Sequence, residues 1–169
     1  MKPDMYWISG PRPGKLAISS RPRGGDWLED EIRGWREAKV NRVISLLEKD
    51  EERQLELDGE SRLAESAGVR FVSFPVQDRG VPASVDAAVS LLQSINQALE
   101  RGENVAVHCR QGIGRAAVVA AGVLMASGAS ADEAIEVVRK ARGLIVPETK
   151  EQGDWLRREL ADSLAVVHR

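Results

Sequence analysis

Residues 104–115 read Asn-Val-Ala-Val-His-Cys-Arg-Gln-Gly-Ile-Gly-Arg. The run 104–108 is short, apolar and β-branched, which predicts a buried strand. The stretch 113–127 carries a long apolar run, which predicts a buried helix. Between them, five residues separate Cys109 from Arg115, and two of the five are glycine. A short loop that opens a helix can turn its backbone N–H groups toward one centre, and the helix end adds partial positive charge. Gly112 and Gly114 permit the unusual dihedrals such a curl needs. Arg115 can present a planar fork to two oxygens of a phosphate. Cys109 lies at the base of this anion cradle, in a field that also stabilises a thiolate over a thiol. One group of residues thus binds an oxyanion and activates a nucleophile.

The flanking sequence alternates strands with helices. A strand is expected at 16–19 after the Pro13-Gly14 turn, a second at 40–47 and a third at 69–76, before the one at 104–108. Asp26, with Glu29 three residues on, reads as a capping box for a helix that aligns Leu28, Ile32 and Trp35 on one face. Glu48 to Glu60 is dense in charge and reads as a solvated loop or surface helix. A short helix at 61–67 is stopped by Gly68. Ser84 caps a helix with an apolar stripe of Val85, Ala88, Val89, Leu92, Ile95 and Leu99, ended by Gly102. Ser130 and Glu133 form a second capping box, and that helix stops at Gly143. The last helix, 148–166, carries Trp155, Leu156, Leu160 and Leu164. This order predicts an α/β fold with a mainly parallel central sheet and helices on both faces. In such folds ligands meet the carboxyl ends of the strands, where Cys109 lies.

The 169 residues, 43% hydrophobic and 30% charged, suit one globular domain over 1–169. A net charge of −2 excludes a broadly basic surface for nucleic acid or an anionic membrane. The single cysteine allows no internal disulfide and fits a reducing compartment. Residues 1–10 hold no apolar leader, and the longest wholly apolar run, 116–126, is too short to span a bilayer. The sequence is therefore read as a cytoplasmic monomer with no membrane or nucleic-acid partner.

The segment His108-Cys109-x5-Arg115 resembles the signature of the cysteine-based protein tyrosine and dual-specificity phosphatases. Pro13 to Ala17, the loop around Asp78 and the tail from Pro147 to Trp155 are similar to the small dual-specificity enzymes of the kinase-associated-phosphatase type. The resemblance implies a phosphatase fold and hydrolysis of phosphate from a phosphorylated protein or peptide, with neither cofactor nor metal. It implies Cys109 as nucleophile, Arg115 as phosphate binder and His108 as the residue that orients the loop. Arg110, Gln111, Gly112, Ile113 and Gly114 would line the substrate. Asp78, in Pro75-Val76-Gln77-Asp78-Arg79-Gly80-Val81-Pro82, would be the acid that protonates the leaving oxygen. Gln152 resembles a glutamine that positions the attacking water, although a surface glutamine in a first helical turn reads equally well. One position departs from the family: Ala116 stands where most members carry serine or threonine, an arrangement also similar to the phosphatases of regenerating liver.

Two other readings remain open at this level. One is a module that captures phosphorylated partners with little turnover, for which Ala116 is the only support. The other is a phosphatase of non-protein esters, such as phosphoinositides or RNA 5′ ends. The first gains nothing from Cys109 and Asp78, and the second favours more cations than Arg110 alone supplies.

Overall fold

The computed structural model describes residues 2–168. Its core is a five-stranded sheet in the order β1-β2-β5-β3-β4. The strands are β1 (Met5–Ile8), β2 (Leu16–Ser19), β3 (Arg42–Ser45), β4 (Arg70–Ser73) and β5 (Val105–His108). β1 pairs antiparallel with β2, and all other neighbours are parallel. The helices are α1 (Leu28–Glu37), α2 (Lys49–Gln54), α3 (Glu60–Ser66), α4 (Val85–Glu100), α5 (Arg115–Ala126), α6 (Ala131–Arg142), α7 (Lys150–Trp155) and α8 (Ala161–Val167). A π turn, Leu156–Leu160, joins the last two.

The strands alternate their side chains between two cores, as a pleat requires. Ile18, Ile44, Val105 and Val107 pack against α4, α5, α6 and the carboxy-terminal helices. Val43 and Ala106 face the other way, onto Leu28, Ile32 and Trp35 of α1 and Ala64 of α3. The sheet is therefore covered on both faces, as the alternating pattern predicts. Ser84 and Ser130 cap α4 and α6 through their side chains, and Ser130 with Glu133 forms the expected reciprocal box. Among the described residues, no helix is long and apolar enough to cross a membrane.

Four features differ from the sequence reading. β1 was not anticipated: it is a short edge strand whose pattern is only half alternating. Asp26 does not cap α1; the chain enters through a 3-10 turn, Gly25–Trp27, with Trp27 at the cap position and no side-chain cap bond. α5 starts at Arg115 and not at Ile113, because residues 113 and 114 are spent in the loop. The acidic segment 48–60 is not simply a solvated face, since Glu51 and Glu60 are both buried.

β5 is the middle strand, and its last residue, His108, is in register with Ser19 of β2 and Ser45 of β3. Cys109 thus leaves the sheet at its centre, on the carboxyl edge.

Candidate active site

Cys109 is 3% exposed and lines a pocket together with Arg110, Gln111, Ile113, Gly114 and Arg115. The Gly112 amide donates to the Cys109 sulfur at 3.2 Å. Gly112 has φ +75°, a left-handed conformation that costs glycine nothing and other residues about 1–2 kcal/mol. Gly114 is needed for a different reason. Its φ is −117°, but a Cβ there would lie 3.0 Å from Gln152 Nε2 and 3.1 Å from Glu148 Oε1. Gly112 thus supplies conformational freedom, and Gly114 supplies room as well.

Arg115 is the first residue of α5 and is 2% exposed. Nη1 donates to Glu51 Oε1 at 2.7 Å and to the Val76 carbonyl at 2.9 Å, and Nη2 donates to Glu51 Oε2 at 2.9 Å. A guanidinium has five N–H donors. These bonds leave Nε–H and the second Nη2 proton for an incoming oxyanion. Asp78, half-exposed on its loop, stands 3.2 Å from Nη2. Burial alone lowers the affinity of Arg115 for its proton. The Glu51 hydrogen bonds, with Cys109, Glu51 and Asp78 as neighbours, outweigh burial and raise Arg115 above its ordinary value. Burial likewise raises the Glu51 carboxyl, but hydrogen bonds from Arg115 and from the Glu48 amide hold it below the usual range.

His108 is wholly buried and stacked on Trp35, with ring centroids 5.8 Å apart. Its Nε2 lies 2.6 Å from Glu60 Oε1 and its Nδ1 3.2 Å from the Cys109 carbonyl oxygen. Burial pushes its proton affinity down, yet Glu60 more than offsets this and holds His108 above its ordinary value.

The rim is braced from the carboxy-terminal half. Arg142, at the end of α6, lies 4.0 Å over the Tyr6 ring and donates to the Gly112 carbonyl at 3.1 Å. Arg79, beside Asp78, pairs with Glu148 at 3.1 Å. Gln152 is fully buried and not a surface residue. Its amide oxygen accepts from the Thr149 amide at 3.0 Å, closing a capping box, and its Nε2 donates to the Gly80 carbonyl at 3.0 Å. His168 is exposed and remote in sequence from these groups. Among the described residues, no group of three or more His, Cys, Asp or Glu is placed to hold a metal ion.

The structure thus brings Cys109, Arg115, Asp78, Arg110, Gln111, Ile113 and Gly114 around one pocket, with His108 in contact with the Cys109 carbonyl. Glu51, Glu60, Glu148 and Arg142 complete it and were not read from the sequence. The arrangement can hold a tetrahedral oxyanion against a sulfur nucleophile, with a carboxyl at the opening.

The family described as "Polymorphic toxin system, DSP-PTPase phosphatase" matches residues 18–129. The mouse protein tyrosine phosphatase domain-containing protein 1 is 40% identical over 77 residues, which are 45% of this chain and 10% of that protein. The chain therefore spans a small part of its curated relatives. The crystal structure of kinase associated phosphatase, with serine in place of its catalytic-site cysteine, superposes at a TM-score of 0.88 with 19% identity, covering 98% of this chain and 97% of that one. Tk-PTP in its active form superposes at 0.76 with 30% identity, covering 95% and 97%. The likeness to the kinase-associated type, read from the sequence, is borne out in the fold.

Proposed function

Because the chain belongs to the DSP-PTPase phosphatases, cysteine-based enzymes that hydrolyse phosphate esters, we propose that it removes phosphate from phosphotyrosine in proteins, and also from phosphoserine and phosphothreonine. The observation that supports this reading is that Cys109, Arg115 and Asp78 line one pocket. The Cys109 thiolate attacks phosphorus and forms an S–P bond, while the ester P–O bond breaks. Asp78 gives its proton to the departing oxygen. Water then attacks phosphorus, Asp78 takes its proton, and the S–P bond breaks to return the thiolate. Arg115 and the loop amides hold the equatorial oxygens throughout. A panel of phosphopeptides, set beside phosphoinositides and triphosphorylated RNA ends, tests the substrate class. Faster turnover of either non-protein ester would overturn the protein assignment, and no turnover of any ester would leave capture without catalysis.

Arg115→Lys is expected to raise KM and lower kcat for aryl phosphates, together by more than tenfold in kcat/KM. Lysine keeps the charge but cannot grip Glu51 with two donors and still offer two to phosphate. Kinetics within about twofold of wild type would show that the loop does not hold phosphate in this way.

Ala116 is fully buried at the start of α5. Negative charge returns to the Cys109 sulfur as the phosphocysteine is hydrolysed, and a methyl group offers it no hydrogen bond. Hydrogen bonds to charged groups are worth roughly 1.5–3 kcal/mol, which is about ten- to a hundredfold in that step. Rapid mixing with an aryl phosphate is therefore expected to show a product burst close to one equivalent per site. Ala116→Ser should raise kcat and shrink the burst with kcat/KM nearly unchanged. Absence of a burst, together with no gain from serine, would show that this position does not limit turnover.

A further inference from the structure

Glu60 lies in a run of sequence where carboxylates belong in water, yet it is 1% exposed. One oxygen meets His108 Nε2 at 2.6 Å, and the other, Oε2, is buried with no hydrogen-bond partner among the described residues. An unpaired buried carboxylate oxygen is costly, so a charged partner is required close by. The other side of the imidazole faces a second acceptor, the Cys109 carbonyl, 3.2 Å from Nδ1. A neutral imidazole has one donor and one acceptor nitrogen. Set between a carboxylate and a carbonyl, it would leave one nitrogen lone pair against an oxygen. An imidazolium satisfies both contacts.

We propose that Glu60 is a positioning residue of the reaction: it keeps His108 doubly protonated, so that Nδ1–H pins the Cys109 carbonyl and His108 places positive charge beside the nucleophile. The consequence follows from peptide geometry. In a planar trans peptide the C=O and the next N–H point in opposite directions. With the Cys109 carbonyl drawn toward His108, the Arg110 N–H points away from it, toward the pocket that Arg110 lines. The first donor of the phosphate cradle is thus set from behind. The ring has no freedom to turn, because Trp35 stacks on it and is itself tied by Nε1 to Ser19 Oγ at 3.1 Å.

The other ionisable groups around this pair are Cys109 itself and Glu52 of α2, with Asp58 before α3 and Lys49 of α2 next to Glu52. Glu52 is raised above its ordinary value by burial and by Glu60 and Asp58. Lys49 and His108 act on Glu52 in the opposite sense, and Glu60 is the carboxylate that meets the ring directly, at 2.6 Å. Trp35 and Ser19, from α1 and β2, contribute no charge.

The inference rests on Cys109 being the nucleophile, and its test separates the two ideas. The chain has only two histidines, His108 and exposed His168, so ring-nitrogen NMR of the wild-type protein resolves them. Both nitrogens of His108 are expected to carry protons at pH 7.5, with His168 as the internal reference. An unprotonated His108 nitrogen at that pH overturns the proposal without any variant. In Glu60→Gln, the midpoint of the rate–pH curve for alkylation of Cys109 by iodoacetamide should move up by roughly one pH unit, so that alkylation at pH values below the wild-type midpoint slows about tenfold. kcat/KM for an aryl phosphate should fall in parallel. Glu60→Asp keeps the charge at shorter reach and should fall between; if the glutamine variant does not fold, this variant must still move the curve upward. A loss of activity with an unmoved alkylation curve makes Glu60 a packing residue and sinks the idea. Turnover surviving in Cys109→Ser would instead defeat the nucleophile assignment, while leaving the His108 protonation result as it stands.

Discussion

Cys109→Ser is expected to abolish turnover of phosphate esters while leaving them bound. The pocket proposed to receive phosphate is lined by Arg110, Gln111, Ile113, Gly114 and Arg115, and the substitution alters only the atom that the Gly112 amide meets at 3.2 Å. Arg115 keeps its bidentate anchor on Glu51 at 2.7 and 2.9 Å, so its free donors stay aimed where they were. What is lost is the nucleophile. The loop amides and the helix end can favour a thiolate, but a serine hydroxyl is not ionised near neutral pH, and Asp78 begins this step as the acid and not as a base. Replacement of a nucleophile costs on the order of 10⁴-fold or more in kcat. Turnover of para-nitrophenyl phosphate gives the first half of the result, and a binding isotherm for a phosphopeptide gives the second. Retention of about a tenth of wild-type turnover would sink the covalent mechanism. Loss of binding along with turnover would mean that the cradle depends on the sulfur, as the Gly112 amide contact at 3.2 Å allows it to do.

The strand, the loop and the helix around Cys109 were legible because their signals are local. A buried strand, two glycines and an apolar helix follow one another within 104–127, and each expresses a preference its own neighbours determine. Caps at Ser84 and Ser130 are legible for the same reason. The Asp26 cap failed because a 3-10 turn, opened by Gly25 at φ +61°, displaced the start of the helix. Thr149-x-x-Gln152 is also a local pattern, a capping box, and it could have told Gln152 from a surface residue.

Glu51 and Glu60 were not legible, and the reason is separation. Glu51 meets Arg115 across 64 positions, and Glu60 meets His108 across 48. Each sits in a stretch so charged that no apolar periodicity marks a buried side. A signal did exist, though it ran from the other end. A phosphate-binding arginine and a signature histidine placed in the core both need negative charge nearby, since a lone buried cation is costly. The acidic run 48–60, which follows the strand expected at 40–47, was the nearest supply. Charge density reads as solvation only until the interior has a cation to match.

Asp78→Asn is expected to slow kcat by ~10²–10⁴-fold for esters with poor leaving groups and far less for activated aryl phosphates. Asp78 follows β4 and is carried to the pocket mouth by residues 75–82, whose far side is held by Gln152 on the Gly80 carbonyl and by Glu148 on Arg79. Arg79 itself takes φ +62°, a left-handed conformation that a non-glycine residue adopts only under local constraint. The carboxyl then rests 3.2 Å from Arg115 Nη2, on a donor that a phosphate would claim. Asparagine keeps the size and can keep the loop, but it has no proton to give. A serine or threonine alkoxide cannot leave without one, whereas a nitrophenolate can. The loss should therefore grow steadily as the leaving group becomes more basic, and the fall in wild-type kcat on the basic side of the pH profile should flatten in the variant. A series of aryl and alkyl phosphates assayed at one pH measures the first effect, and a pH profile with a single aryl ester measures the second. If asparagine slows every ester equally, Asp78 serves only to occupy Arg115 and hold the loop, and the acid must come from another group at the mouth, of which Glu148 is the one the pocket offers.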